Sequence, residues 1–510
     1  MTDAPHVDRV TNRRSIKRFL STASIRFLVG YPATLIYLPF LLAFVPLDAY
    51  GVWTTCAGII AIASLADGGL QTKVTRDVAG FVARREFKQA NEHLTKAILL
   101  IGAIVALITI SGSSLAPAIA QYIFPAISGE SAGDAVTVLI CSFWVFGAST
   151  IANLAFCPLA AIQRQDRLNI AATWGILAGL GVSIVLAVME YGIYSMLIGS
   201  VAQVFLSIFI RLLALRKLTP WVRFRPRLAS LRGAPLLLGG SMYFFVGQIS
   251  DIVDFQWDKL MIARYVSASS SAQYAIGSNL SIQARTAALM PFSLLLVGMA
   301  EIGHISDEAR RLYKRLVYPF FSLAVILLVG VVTFGKSFFD LYLGHSFSEA
   351  GLASSLAAAA LLVNLCGVPW TMVASAVDSG RRLAIAGVAN MLVNGSLSYL
   401  LVTKIGYIGP LWGSVIGNAV GTALLFLLYR GSNRKLPFLG RAWLGLVASG
   451  LLSALTFTLG AVVDFGGSWY ILISSIVIFA VILIAIFGLL GLLPAWQDVK
   501  RHRETRSQLT

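Results

Sequence analysis

The chain has 510 residues, of which 57% are hydrophobic and only 12% charged, against roughly 25% charged in an ordinary soluble domain. Together with a mean hydropathy of +0.80, this excludes a soluble globular protein and leaves no room for a soluble catalytic domain between the apolar runs. The net charge of +17 falls in connections and tails, where it sets topology and meets anionic lipid rather than nucleic acid.

The start of the chain is polar and basic (Arg9, Arg13, Arg14, Lys17, Arg18) and runs into a full-length apolar stretch at 24–45. That length predicts an uncleaved first span and not a signal peptide, whose apolar core is about 7–15 residues. Later runs of about 20 residues, enough to cross a bilayer as helices, predict spans at 50–70, 97–116, 135–157, 169–189, 193–213, 235–264, 272–298, 316–335, 350–371, 383–403, 410–429, 442–463 and 469–493. Of the 40 Lys and Arg residues, 35 fall in one set of alternating connections. The opposite set holds only Lys336 and Lys404. This bias predicts that both termini are cytoplasmic.

Polar groups inside spans are costly and are therefore functional candidates. Arg26 opens the first span, where it either meets a ligand or snorkels to the interface; Asp67 closes the second at the interface. In the seventh span Gln248, Asp251, Asp254 and Asp258 recur at helical spacing and share one face, with Lys259 at its edge. This face lines a wet cavity, or Asp258 pairs internally with Lys259 or Arg264. In the eighth span Ser278, Ser281 and Arg285 share a face, with Gln283 nearby. Arg285 is a candidate for a phosphate, which a guanidinium binds bidentately, or for a salt bridge to a seventh-span aspartate. Asn364, Asn390, Asn394 and Asn418 read as glue between helices. Gly175 with Gly179, and Gly413, Gly417 and Gly421, form GxxxG steps that predict close helix packing.

Segments 167–216 and 382–430 resemble each other at an offset of 215, becoming 214 after one gap. Arg167, Leu168, Ile170 and Ala171 meet Arg382, Leu383, Ile385 and Ala386; Gly192 meets Gly406, Gly199-Ser200-Val201 meets Gly413-Ser414-Val415, and Arg216 meets Arg430. The copies lie six spans apart in the same orientation, which predicts parallel repeats with a site between lobes. The expected architecture is an all-α polytopic membrane protein of about 14 transmembrane helices. A basic cytoplasmic tail (1–23) leads into an N-terminal lobe of spans 1–6 (24–215). A basic linker (216–234) joins it to a C-terminal lobe of spans 7–12 (235–432), and spans 13–14 with a cytoplasmic tail follow (433–510).

The five histidines are scattered, and the cysteines Cys56, Cys141, Cys157 and Cys366 form no cluster, so neither a metal nor a disulfide is expected. There is no Walker A or dinucleotide motif. The longest outer loops, 117–134 and 336–349, are short, and the first carries only Glu130 and Asp134 as charged residues. An enzyme and a cofactor are therefore not expected.

Asp48–Trp53 (DAYGVW), Asp67-Gly68-Gly69-Leu70 and Thr75-Arg76-Asp77-Val78-Ala79 resemble the first hairpin of MOP-superfamily polysaccharide transporters. So do Asp258 followed by Leu260-Met261-Ile262 and Tyr274, and Leu343-Gly344 before span 10. This group includes the Wzx-type oligosaccharide flippases and is related to lipid II flippases and MATE drug exporters. The resemblance implies a flippase that moves undecaprenyl-diphosphate-linked oligosaccharide to the outer leaflet of a bacterial cytoplasmic membrane, for surface polysaccharide. Its implied partners are membrane lipid, a polysaccharide polymerase and a chain-length regulator. Arg26 and Arg285, assisted by Lys259 and Gln283, would meet the head group. Asp251, Asp254 and Asp258 would bind a coupling ion, and they keep open a MATE-like exporter exchanging a cationic drug for H⁺ or Na⁺.

Overall fold

A computed structural model describes residues 13–67, 69–127, 129–223, 242–302, 307–377, 381–430, 442–459 and 467–507. The tips of both tails and linker residues 224–234 lie outside the described residues, as do the side chains of Arg26, Asp67, Gln248 and Asp251. Two compact units, 1–272 and 273–510, make up the chain. This division follows packing, whereas the expected lobes follow the repeat.

The first unit holds α1 (Arg13–Phe44), α2 (Leu47–Ala63), α3 (Leu70–Ala83), α4 (Phe87–Ile123), α5 (Glu130–Ala155), α6 (Cys157–Ala161), α7 (Gln165–Val188), α8 (Ile193–Leu218) and α9 (Met242–Tyr265). The division falls early in α10 (Ala268–Ile302); the second unit continues with α11 (Asp307–Tyr342), α12 (Ser348–Val377), α13 (Arg381–Ile405), α14 (Ile408–Arg430), α15 (Ala442–Leu459) and α16 (Trp469–Ser507). No strand occurs among the described residues. A bilayer explains this, because a helix satisfies its own backbone groups where water cannot.

Nine helical stretches among the described residues are long and apolar enough to cross a membrane. They cover expected spans 3–6, 9–12 and 14. Two shorter apolar helices, Leu28–Phe44 and Leu47–Ala63, lie over the first two. Helices α9, α10 and α15 lie over spans 7, 8 and 13. Helix α9 carries Asp251, Asp254, Asp258, Lys259 and Arg264 in its 24 residues. Large apolar side chains face outward, among them Phe205, Leu107, Leu451 and Ile478, as expected where the solvent is lipid.

Helix α3 is not a span. Leu70, Val74, Val78 and Val82 recur every four residues and are buried, while Arg76 and Gln71 point outward. This amphipathic stripe packs against Leu94, Ala97 and Ile101 of α4. The inter-lobe connection is anchored nearby: the Asn91 side chain accepts from the Arg223 N–H at 2.9 Å and donates to the Arg223 carbonyl. The Phe87 and Trp221 rings lie 5.5 Å apart.

Candidate functional site

Two of the sequence segments that carry the family resemblance come together in the first unit. At the start of α2, the Asp48 carboxylate accepts from the Ser269 hydroxyl. Three residues on, a Cβ at Gly51 would overlap the carbonyl of Ala268, so only glycine lets α2 approach the turn between α9 and α10. One turn further, the Thr55 and Ser271 hydroxyls share a hydrogen bond of 2.8 Å. The Lys259 ammonium donates to the Thr54 carbonyl at 3.0 Å.

That carbonyl is reachable because a helical side chain covers the turn N-terminal to it, and Gly58 has none. A Cβ there would stand 2.9 Å from Gln256 Oε1 and 3.4 Å from Lys259 Nζ. Lys259 is thus a half-buried cation tied to backbone. On α9, Asp254 and Asp258 are buried, Asp258 completely, and each has interaction partners. Arg264, at the end of the same helix, stacks on the Tyr122 ring with its guanidinium carbon 4.4 Å from the centroid. It borders a cavity of about 730 Å³ together with Asp48 and Asp134. The Tyr194 hydroxyl donates to Asp134 at 2.6 Å.

In the second unit, Arg285 heads a chain of amides. Its Nη2 donates to Asn364 Oδ1 at 3.1 Å, Asn364 Nδ2 to Asn418 Oδ1 at 3.0 Å, and Asn418 Nδ2 to the Ser414 carbonyl at 2.9 Å. This relay runs from α10 through α12 to α14 and fixes the plane of the guanidinium. Ser278 and Ser281, expected on the Arg285 face, are buried. Ser281 donates to the Ser354 carbonyl at 2.7 Å, so this end of the face serves helix packing. Gln283 turns away and donates to Asn279 Oδ1 at 2.9 Å, as a residue two positions from Arg285 on a helix must.

Three groups of the site leave little trace in the sequence. Thr54 acts through a backbone carbonyl, which leaves no trace in residue type. Asn279 gave no signal beyond its spacing from Gln283. Arg211, near the end of the expected span 193–213, lines a small cavity of about 190 Å³ with Asn153, Gln203 and Ser207.

Residues 44–351 match the family described as polysaccharide biosynthesis protein. The chain is 22% identical over 401 residues, 76% of each chain, to the uncharacterized membrane protein EpsK of Bacillus subtilis (strain 168). Among solved structures, it resembles the lipid II flippase MurJ in an inward closed conformation. The TM-score is 0.64 at 14% identity, covering 92% of this chain and 97% of that one. An inward-facing multidrug resistance MATE family transporter of the MOP superfamily gives 0.58 at 16% identity, over 81% and 97%. A MOP superfamily transporter from Pyrococcus furiosus gives 0.54 at 17%, over 82% and 95%. At these identities the structural likeness establishes the fold.

Proposed function

From the premise that this chain belongs to the polysaccharide biosynthesis protein family and is a multi-pass membrane protein with the fold of MOP-superfamily transporters, we propose that it flips an undecaprenyl-diphosphate-linked oligosaccharide across a bacterial cytoplasmic membrane by alternating access. The observation that carries this reading is Arg285, a cation inside the helical bundle oriented by the amides of Asn364 and Asn418. A sugar hydroxyl left unpaired in hydrocarbon costs several kcal/mol, and an ionised diphosphate costs tens by Born arguments. The head group therefore needs fixed polar partners while its tail stays in lipid. Planar guanidinium forks bind phosphate oxygens bidentately.

In this reading Arg285 and Arg26 bind the diphosphate, Lys259 adds a second fixed cation, and Gln283 belongs to the same substrate site. Asp251, Asp254 and Asp258 carry the coupling proton or cation. Both termini lie in the cytoplasm, and a polymerase with its chain-length regulator uses the flipped unit for O-antigen, capsule or exopolysaccharide. The buried acids of α9 favour a second reading, a MATE-like H⁺- or Na⁺-coupled exporter of organic cations.

The test is reconstitution into liposomes with a polyprenyl-diphosphate oligosaccharide, measuring the sugar exposed to an external glycosidase. Wild-type protein should expose it, and Arg285→Glu should slow exposure by more than about 100-fold, since reversing the charge both removes and opposes phosphate binding. In the same vesicles Asp258→Asn should flatten the dependence on an imposed ion gradient. An Arg285→Glu variant as fast as wild type would overturn the anion role, and uptake of an organic cation driven by the gradient would replace it with export.

A further inference from the structure

The small cavity of the first unit has no part in that reading. It lies where α5, α7 and α8 meet and encloses about 190 Å³, below the roughly 300–1,000 Å³ of a pocket for a drug-sized ligand. Its polar wall includes Asn153, Gln203, Ser207 and Arg211, and Ile176 and Ile208 are among its apolar lining. On the same helix Phe205, Phe209, Leu212 and Leu213 are exposed. At about 100° per residue these lie roughly opposite Ser207 around the helix, so the notch is on the face of α8 turned toward α5 and α7.

Two features define what fits it. The first is orientation, since Arg211 Nη1 donates to Asn153 Oδ1 at 2.6 Å, from α8 to α5. That bond ties one end of the guanidinium to α5, and the planar five-donor fork of an arginine still offers N–H groups beyond the one it uses there. The second is depth. Arg211 stands six residues before Lys217 in the basic last turn of α8, about 9 Å along the axis at 1.5 Å per residue. If that basic turn lies at the membrane surface, Arg211 lies near the boundary between head groups and hydrocarbon, where a polar notch between helices accepts anionic head groups. Ser207 and Gln203 supply further donors to oxygen.

We propose that the Arg211 notch binds the phosphate of a lipid head group in the leaflet that meets the basic end of α8. The phosphate comes either from the phosphodiester of an anionic phospholipid or from a polyprenyl diphosphate. The inference rests on the chain residing in a bilayer and is independent of what it transports.

The full-length protein is purified with phosphatidylcholine, and bound lipid is counted by native mass spectrometry after adding phosphatidylglycerol or polyprenyl diphosphate. Wild-type protein should retain one more anionic lipid than Arg211→Gln, with occupancy of that adduct falling about ten-fold. Asn153→Asp keeps the arginine but sets a carboxylate against it, and should lose the same adduct while melting as wild type does. It decides the question if Arg211→Gln does not fold. Loss confined to phosphatidylglycerol identifies bulk phospholipid as the source, and loss confined to polyprenyl diphosphate identifies a polyprenyl lipid. Equal occupancy of both lipids in wild type and folded variants overturns the proposal. Transport in the liposome assay is read separately, so either reading can fail alone.

Discussion

In the hairpin α7–α8 the glycines of the central contact lie on the first helix, and in α13–α14 they lie on the second. A Cβ at Gly175 would stand 2.8 Å from the Gln203 carbonyl, and one at Gly179 would stand 2.8 Å from Gln203 Cβ. At the repeat-equivalent levels a Cβ on Gly417 would lie 2.7 Å from Asn394 Cβ, and one on Gly421 would lie 2.9 Å from Asn390 Cβ. Gly175 facing Ser207 thus becomes Asn390 facing Gly421, and Gly179 facing Gln203 becomes Asn394 facing Gly417. The third level is unchanged, with Ser183 facing Gly199 and Ser398 facing Gly413. The repeat keeps one small residue at each level and does not keep which helix supplies it.

The exchange has a chemical consequence. Asn394 donates to Ser414 Oγ at 3.3 Å and accepts from Ser398 at 2.8 Å, so at this level the second hairpin pairs its polar groups across and along its own helices. In the first, Gln203 and Ser207 instead line the Arg211 cavity. One hairpin uses its polar contacts as glue, and the other turns them toward a cavity.

The largest test of this equivalence strikes the level that both hairpins share. Gly199→Val and Gly413→Val each drive a side chain into the facing helix: a Cβ at 199 meets the Gly179 carbonyl at 2.7 Å, and one at 413 meets the Ser398 nitrogen at 2.9 Å. Overpacking of this kind costs about 1–3 kcal/mol or more. Both variants should lose most folded protein on size-exclusion chromatography, and a normal profile for either would break the comparison.

A smaller effect sharpens it. Gly179→Asn should destabilise by about 1–2 kcal/mol, and adding Gln203→Gly, which recreates the second hairpin's pattern, should return about 0.5–1 kcal/mol of that. Denaturation midpoints in mixed micelles measure the cycle; strict additivity would mean that the two positions do not share one space. The smallest effect is at the tips. Gly192 and Gly406 sit at repeat-equivalent turns with positive φ of 52° and 61°, where a Cβ costs about 1 kcal/mol or more. Gly192→Ala and Gly406→Ala should therefore lower the midpoint by similar small amounts, and a strongly unequal pair would show that the two turns are not equivalent.

The repeat was legible because the Gly-Ser-Val triplet recurs between flanking arginines. The exchange of glycine and amide was not, because a linear match compares each residue with its copy rather than with the residue it faces. Candidate cations show the same divide. Arg285 stood out as a charge within an apolar run, yet its partner Asn364 is 79 positions away. Lys259 stood out for the same reason, while its acceptor is a backbone oxygen exposed by Gly58. Arg211 gave no such signal, because it lies where an apolar run meets a basic connection. Over the first two expected spans lie shorter apolar helices, Leu28–Phe44 and Leu47–Ala63. Pro32 and Pro39 nevertheless lie inside α1, where proline removes backbone bonds without ending the helix.

Sequence by itself determined that this chain is helical, multi-pass and built on a repeat, because hydropathy and charge act locally against a solvent of known thickness. Tertiary structure alone decided that Gly51 admits the turn after α9, that an amide relay orients Arg285, and that Arg211 faces a cavity. Each depends on residues distant along the chain meeting within a few ångströms, where shape and hydrogen-bond direction govern and composition carries no record of them.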